Sequence, residues 1–285
     1  MAEDAIKFWF ESSVDTIQLT EEGPFLIQSN TLGFGVPPLT IRYLEGAGAG
    51  GKRYNSRVGM RPLDVGLLIT AADRMDLDTK ARYLAKVLRV WSPPPKIVAE
   101  YPTGERYSLT FDYLGGLEGN YQDVDADTYK VVLSLMCPQP YWEAVEPQGF
   151  TLKVKRATTT FRPKLGDLAI DDAQVIGTVD VFNAGEVPAP LSWMFVGPAS
   201  EVFVQSDLGS FHYNAPLAVN ETIFINSEEG TVTGFFGENK YDSMGLAPKF
   251  FSLPPGTTRI DVQMPDATPD SQVVATYMNR REVIL

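Results

Sequence analysis

A chain of 285 residues with 44% hydrophobic and 21% charged residues is long enough for two globular domains and too apolar to be disordered. Its formal net charge of −12 argues against a surface that holds nucleic acid through clustered lysine and arginine. The same charge is compatible with a wall past which DNA slides without binding, because like charges repel at short range.

The chain begins with MAEDAIKFWF, which carries acids where a signal peptide would be basic. No apolar run reaches the roughly 20 residues that a membrane helix needs. One cysteine, Cys137, excludes an internal disulfide framework. We therefore expect the protein to be made in the cytosol. Short strands follow, at residues 6–10, 15–19, 25–29, 39–44, 53–58 and 64–70.

The period of the apolar residues then changes to that of a helix, which we predict over residues 76–91. Its apolar face consists of Leu77, Ala81, Leu84, Leu88 and Trp91. Asp76 and Asp78 are both candidate N-caps, and three prolines at 93–95 forbid continuation.

Residues 96–114 predict a hairpin closed by PTGE, and residues 128–137, TYKVVLSLMC, predict a long strand. The polar stretch 143–149 is the best candidate boundary, giving domains 1–145 and 146–285. The second half shows short strands every 8–12 residues, separated by Gly, Asn, Asp or Pro, as in an antiparallel sandwich or barrel. We predict a mainly β protein.

The glycine-rich stretch GAGAGGKR at 46–53 imitates a phosphate-binding loop. Arg53 stands where the Ser or Thr of that motif would hold magnesium, and no helical pattern follows. A flexible loop is the better interpretation.

The remaining candidate sites are weak. DVDAD at 123–127 lacks the glycine and glutamate of a calcium loop, so a solvated loop is favoured over weak calcium binding. His212 is the only histidine, which excludes sites that need two, and no G-x-S-x-G elbow accompanies it. Cys137 has no helix N-terminus or basic neighbours and is predicted to be buried. Of Trp9, Trp91, Trp142 and Trp193, we expect Trp91 and Trp193 in the core.

Several local patterns occur in one order along almost the whole chain. A basic stretch at 53–61 leads into a strand and the helix ARYLAKVLRV, and TYKVVLSLMCPQPYWE follows. VFNAGEVPAPLSWMFVGP, ETIFINSEEGTV and LPPGTTRIDV follow in the second half. In this order they resemble the distal tail protein (Dit) family of long-tailed, non-contractile bacteriophages. Thr257 and Thr258 depart from the family, in which an Asn is common after Pro-Gly.

The resemblance implies a split-barrel-like N-terminal domain with one helix and a galectin-like C-terminal β-sandwich. It implies a homohexameric ring that joins the major tail tube protein to a tail-associated lysin, tip or fibre protein. DNA would pass through the ring without specific binding. The protein would be located at the tail tip of the virion after assembly in the host cytoplasm, and no membrane is implied.

We thus predict a structural virion protein and not an enzyme, with no catalytic, cofactor-binding or metal-binding residues. A carbohydrate-binding adhesin is the alternative, and exposed aromatics in a groove of the second domain would favour it. A third hypothesis, a glycoside hydrolase, is supported only by the abundance of carboxylates.

Six copies at −12 carry 6 × −12 = −72 formal charges, so the lumen of the ring should be acidic or neutral. Four basic residues should then face subunit contacts or acids and not the pore. They are Lys52, Arg53, Arg57 and Arg61.

Overall fold

The computed structural model of the chain describes residues 5–20, 22–46, 48–118, 125, 127–154 and 177–284. In this part of the chain the protein is mainly β, with one α-helix and antiparallel sheets, as predicted. The chain divides into two units, Met1–Glu146 with Arg280–Leu285, and Pro147–Asn279. The predicted second domain, 146–285, includes the C-terminal stretch that in the structure belongs to the first unit.

The first unit contains two main sheets and a separate hairpin. Its strands, numbered in chain order, are β1 (Lys7–Glu11), β2 (Thr16–Gln18), β3 (Phe25–Ile27), β4 (Leu39–Glu45), β5 (Gly51–Val58), β6 (Arg61–Thr70), β7 (Lys96–Glu100), β8 (Arg106–Thr110), β9 (Asp112–Gly115), β10 (Thr128–Cys137), β11 (Trp142–Ala144) and, near the end of the chain, β23 (Arg280–Arg281). The sheet orders are β2-β1-β7-β8-β11-β23 and β3-β6-β10-β9, and β4 pairs only with β5.

The long antiparallel pair β6 and β10 organises the core of the first unit. Side chains alternate across a strand, so every second residue faces the core. Val65 lies opposite Leu133 and Leu63 lies opposite Leu135, and all four are buried. The predicted strand over 128–137 is confirmed at both ends.

The helix, α1, spans Arg74–Leu88, so the predicted bounds of 76–91 are wrong. Its N-cap is Asp73, whose Oδ1 accepts a hydrogen bond from the backbone N–H of Asp76 at 2.9 Å. Asp76 instead binds Lys80 within the helix, with 2.7 Å between Oδ2 and Nζ. Asp73, Asp76 and Asp78 all have a side chain that can cap a helix, so the sequence leaves the cap ambiguous. The structure places it at Asp73, one turn before Asp76.

The buried face of the helix consists of Leu77, Leu84, Val87 and Leu88. Trp91 lies beyond the last turn and is 94% exposed, so its predicted place in the core is wrong. Trp91 would lie on the same face as Leu88 only if the helix continued to residue 91, and the helix ends at Leu88.

The second unit is a sandwich of two antiparallel sheets. Its strands are β12 (Gln148–Lys153), β13 (Gly177–Asn183), β14 (Ala189–Pro190), β15 (Ser192–Val196), β16 (Val202–Ser206), β17 (Gly209–Tyr213), β18 (Thr222–Asn226), β19 (Thr231–Gly234), β20 (Ser252–Leu253), β21 (Gly256–Gln263) and β22 (Gln272–Tyr277), and a 3-10 turn spans Tyr241–Ser243. The sheet orders are β12-β22-β15-β18-β19 and β13-β21-β16-β17, and β14 pairs with β20. Trp193 of the first sheet and Val204 and Ile260 of the second are buried in one core.

The corner at residues 183–198 is built around a buried asparagine. The Asn183 side chain donates to the carbonyls of Val187 at 3.1 Å and Leu253 at 2.8 Å and accepts from the Gly185 N–H at 2.8 Å. A short polar side chain therefore fixes the turn that leads into β15.

Candidate functional site

Strands β4 and β5 form a hairpin that projects its side chains into solvent. We call residues 39–58 the hairpin arm. It pairs with no other strand in the described part of the chain. Leu39, Tyr43, Leu44 and Tyr54 are between 53% and 68% exposed. A two-stranded hairpin alone is marginally stable in water, so an arm of this kind is a candidate contact surface.

The register gives the hairpin arm two different faces. Leu39 lies opposite Val58, and Ile41 and Tyr43 follow on the same side, so one face carries the apolar side chains, with Ser56 opposite Ile41 and Arg53 opposite Tyr43. The other face is basic. It carries Arg42 opposite Asn55, Arg57 opposite Thr40 and Lys52 opposite Leu44. The pairing shifts between Arg42 and Tyr43, where β5 bulges.

The charge of the hairpin arm is opposite to that of the rest of the chain. Residues 39–58 contain four cations and one anion, a net charge of +3. Because the whole chain carries −12, the other residues sum to −12 − 3 = −15. The arm therefore attracts acidic surfaces, whereas the rest of the chain repels them.

The structure separates Arg61 from the other three basic residues predicted at the contact surface. Lys52, Arg53 and Arg57 lie on the exposed β5, where Arg53 donates to the Ser56 hydroxyl. Arg61 is 1% exposed at the start of β6, so the prediction that it faces a subunit contact or an acid is wrong. Burial lowers the pKa of its guanidinium below the ordinary value.

Four backbone carbonyls surround the Arg61 guanidinium. Nε donates to Pro140 at 2.6 Å, Nη1 donates to Gly33 and Gly35 at 2.6 Å each, and Nη2 donates to Glu282 at 2.7 Å. Arginine fits this position because its fork carries five N–H donors in fixed directions. This role could not be predicted from the sequence, because the acceptors are backbone carbonyls, which every residue has.

The glycine-rich stretch closes the hairpin arm. Lys52 and Arg53 lie in β5, so a strand and not a helix follows the glycines. That geometry lacks the helix N-terminus on which a phosphate loop depends. Gly50 has φ +93°, a value that favours glycine at the turn.

The remaining candidate sites show little chemistry. His212 Nε2 lies 2.8 Å from Glu201 Oε2, and both side chains are partly exposed. Residues 123, 124 and 126 of DVDAD lie outside the described residues, so the loop interpretation stays a prediction. The ranges that are described contain no group of three or more His, Cys, Asp or Glu arranged for a metal ion. They also contain no helix long and apolar enough to cross a membrane.

Cys137 is buried at the end of β10, and burial raises the pKa of its thiol to about 12. Since the thiolate is the reactive form, about one thiol in 10⁴ is ionised at pH 8. We expect the native protein to resist a thiol reagent such as DTNB at pH 8 and to react fully after unfolding in urea. Rapid reaction of the native chain would contradict the burial of this side chain.

Two β units, the first with one helix and the second a sandwich, make up the described part of the chain, and two solved phage structures share this fold. A crystal structure of the SPP1 Dit (gp 19.1) protein, a hub of the adsorption apparatus of phages that infect Gram-positive bacteria, matches with a TM-score of 0.67 and 15% identity over 96% of this chain and 99% of that chain. A structure of the phage P2 baseplate in its activated conformation with Ca matches with a TM-score of 0.55 and 7% identity over 98% of this chain and 100% of that chain. No protein-family model and no curated protein matches the sequence. At these identities the likeness establishes the fold, which confirms at that level the resemblance seen in the sequence.

Proposed function

We propose that this chain is a structural hub protein of a phage tail. Six copies close into a ring that joins the tail tube protein on one side to the tip, lysin or fibre proteins on the other. The first unit forms the ring, and the second unit is a galectin-like sandwich. The protein acts by assembly at the tail tip and has no enzymatic role. The fold shared with phage hub and baseplate proteins supports this proposal.

The exposed hairpin arm is the observation that carries the proposal. Its apolar face includes Leu39 and Tyr43, which are exposed. Covering this face with another surface stabilises the contact, because apolar area is removed from water. Its basic face, with Arg42 and Arg57, is attracted to the net negative charge of a second copy. An arm that reaches a different patch on its neighbour makes a head-to-tail contact, and such contacts form a ring when the rotation between copies closes.

The acidic composition suits a conduit for DNA. Six copies carry 6 × −12 = −72 formal charges, so the lumen repels phosphates and does not retain them. With the basic side chains of the arm engaged between copies, the assembly should elute free of duplex DNA at physiological salt. Retention of duplex DNA by the ring would contradict the proposed DNA channel but not the proposed ring.

The alternative adhesin would bind a sugar through exposed aromatic side chains of the second unit. Trp193 is buried. Among the described residues of this unit the most exposed aromatic side chains are Phe236 at 92%, Phe235 at 68% and Phe182 at 63%, and none of them has a polar atom to bind a sugar hydroxyl. Tyr241, which has a hydroxyl, is 41% exposed.

Reversing the charge of the basic face tests the proposal. We expect Arg42→Glu with Arg57→Glu to convert the assembly to monomer in light scattering at micromolar concentration, because the contact between copies becomes repulsive. The fold should persist, since exposed substitutions change stability by about 0.5 kcal/mol or less. Lys249→Glu, an exposed cation on the second unit, is the control and should assemble normally. Assembly by the double variant as well would show that the arm is not the subunit contact.

A further inference from the structure

The residues directly before and after the hairpin arm, 32–38 and 59–64, form what we call its root. The Arg61 side chain binds within this root. This residue begins β6, just after the arm ends at Val58. Its Nη1 donates to the carbonyls of Gly33 and Gly35, in the segment that leads into the arm. Gly33 has φ +101°, and a Cβ there would lie 2.5 Å from the Pro62 carbonyl oxygen, so the two sides of the root approach as closely as backbones allow.

The last residues of the chain complete this root. Residues 280–284, which we call the latch, begin with β23 paired to β11. The Glu282 carbonyl accepts from Arg61 Nη2 at 2.7 Å. Ile284 is fully buried, and its backbone N–H donates to the Phe34 carbonyl at 3.1 Å.

Phe34 connects the latch to the core of the first unit. Its ring stacks on Phe8 at 4.8 Å between centroids and meets Trp142 edge-on at 5.6 Å. The segment that leads into the hairpin arm is therefore packed on one side by aromatic rings and bonded on another by the latch. Arg61 binds this segment and the latch at once.

The latch is also the last described part of the chain to be synthesised. The chain leaves the first unit at Glu146 and returns at Arg280, after the whole second unit. We propose that the latch sets the hairpin arm, with Arg61 as the positioning residue, so that only a chain that has returned from its second unit presents an arm able to engage a neighbour. The assembly half of this inference rests on the proposed ring, and the setting of the arm is a property of the single chain.

Hydrogen exchange at individual amides tests the latch. Ile284→Pro removes the N–H that binds Phe34, and Ile284→Val, the control, keeps it. Two reporter amides lie at the root: Gly59 donates to Pro38 at 2.8 Å, and Leu32 donates to Asp64 at 2.8 Å. The core reporter is the β6–β10 ladder around Val65.

In Ile284→Pro we expect the Gly59 and Leu32 amides to exchange at least about tenfold faster, with core amides within about twofold of the parent. Assembly should need at least about a tenfold higher concentration, and Ile284→Val should match the parent in both measurements. An unchanged exchange rate at the Gly59 amide would overturn the proposal. Equal acceleration of the root and core amides would overturn it as well, because it would show that Ile284 only stabilises the whole unit. If the parent chain itself stays monomeric, the ring proposal fails, and the exchange rates still decide whether the latch sets the arm.

Discussion

Replacing Arg61 with methionine is expected to lower the free energy of unfolding of the first unit by about 3–5 kcal/mol. Methionine fills a similar volume but donates no hydrogen bond, so the carbonyls of Gly33, Gly35, Pro140 and Glu282 lose their donors. A buried acceptor left without a partner costs about 1–3 kcal/mol, and the four costs overlap because the segments relax together.

Urea unfolding followed by circular dichroism measures this loss. Arg82→Met on the exposed side of α1, outside the hairpin arm, is the matched control and should change the free energy of unfolding by about 0.5 kcal/mol or less. A loss below about 1 kcal/mol in Arg61→Met would show that the guanidinium does not hold the root together.

Trp193→Ala is expected to destabilise the second unit by about 3–5 kcal/mol. The indole is 1% exposed and contacts four aromatic rings at centroid distances between 5.8 and 6.4 Å. These rings are those of Phe150, Phe195, Phe211 and Phe251. Its Nε1 has no hydrogen-bond partner, so the loss is one of packing.

Because the two units have separate cores, we expect Trp193→Ala to lower one thermal transition and leave the transition of the first unit in place. Differential scanning calorimetry resolves the two. Phe236→Ala, which truncates a 92% exposed ring, is the control and should move neither transition measurably. A single transition that falls as a whole would contradict the division into two independently folding domains.

The elements with strong local periodicity were predictable from the sequence. The β10 strand alternates apolar residues without interruption and ends before Pro138, so both of its ends are encoded locally. The start of the helix was less predictable, because Asp73, Asp76 and Asp78 all have a side chain that can cap, and the structure uses Asp73. Trp91 continues the helical phase in sequence, but the backbone leaves the helix before reaching it.

The long-range features had no local signal. A cation such as Arg61 is usually exposed, and only the convergence of residues 33–35, 140 and 282 makes its burial favourable. The pairing of β23 with β11 joins residues about 140 positions apart, which no periodicity reports. The basic character of 52–57 was readable, but the same pattern fits the exposed face of a larger sheet. That it lies on a separate hairpin is a property of the tertiary structure.

Native mass spectrometry of the purified chain at micromolar concentration tests most directly whether this protein is a ring-forming hub. Six 31.4-kDa chains give about 188 kDa, and this species should dominate the spectrum. The Arg42→Glu, Arg57→Glu variant should appear near the mass of one chain in the same buffer. A parent protein that stays at about 31 kDa up to tens of micromolar would contradict the hub.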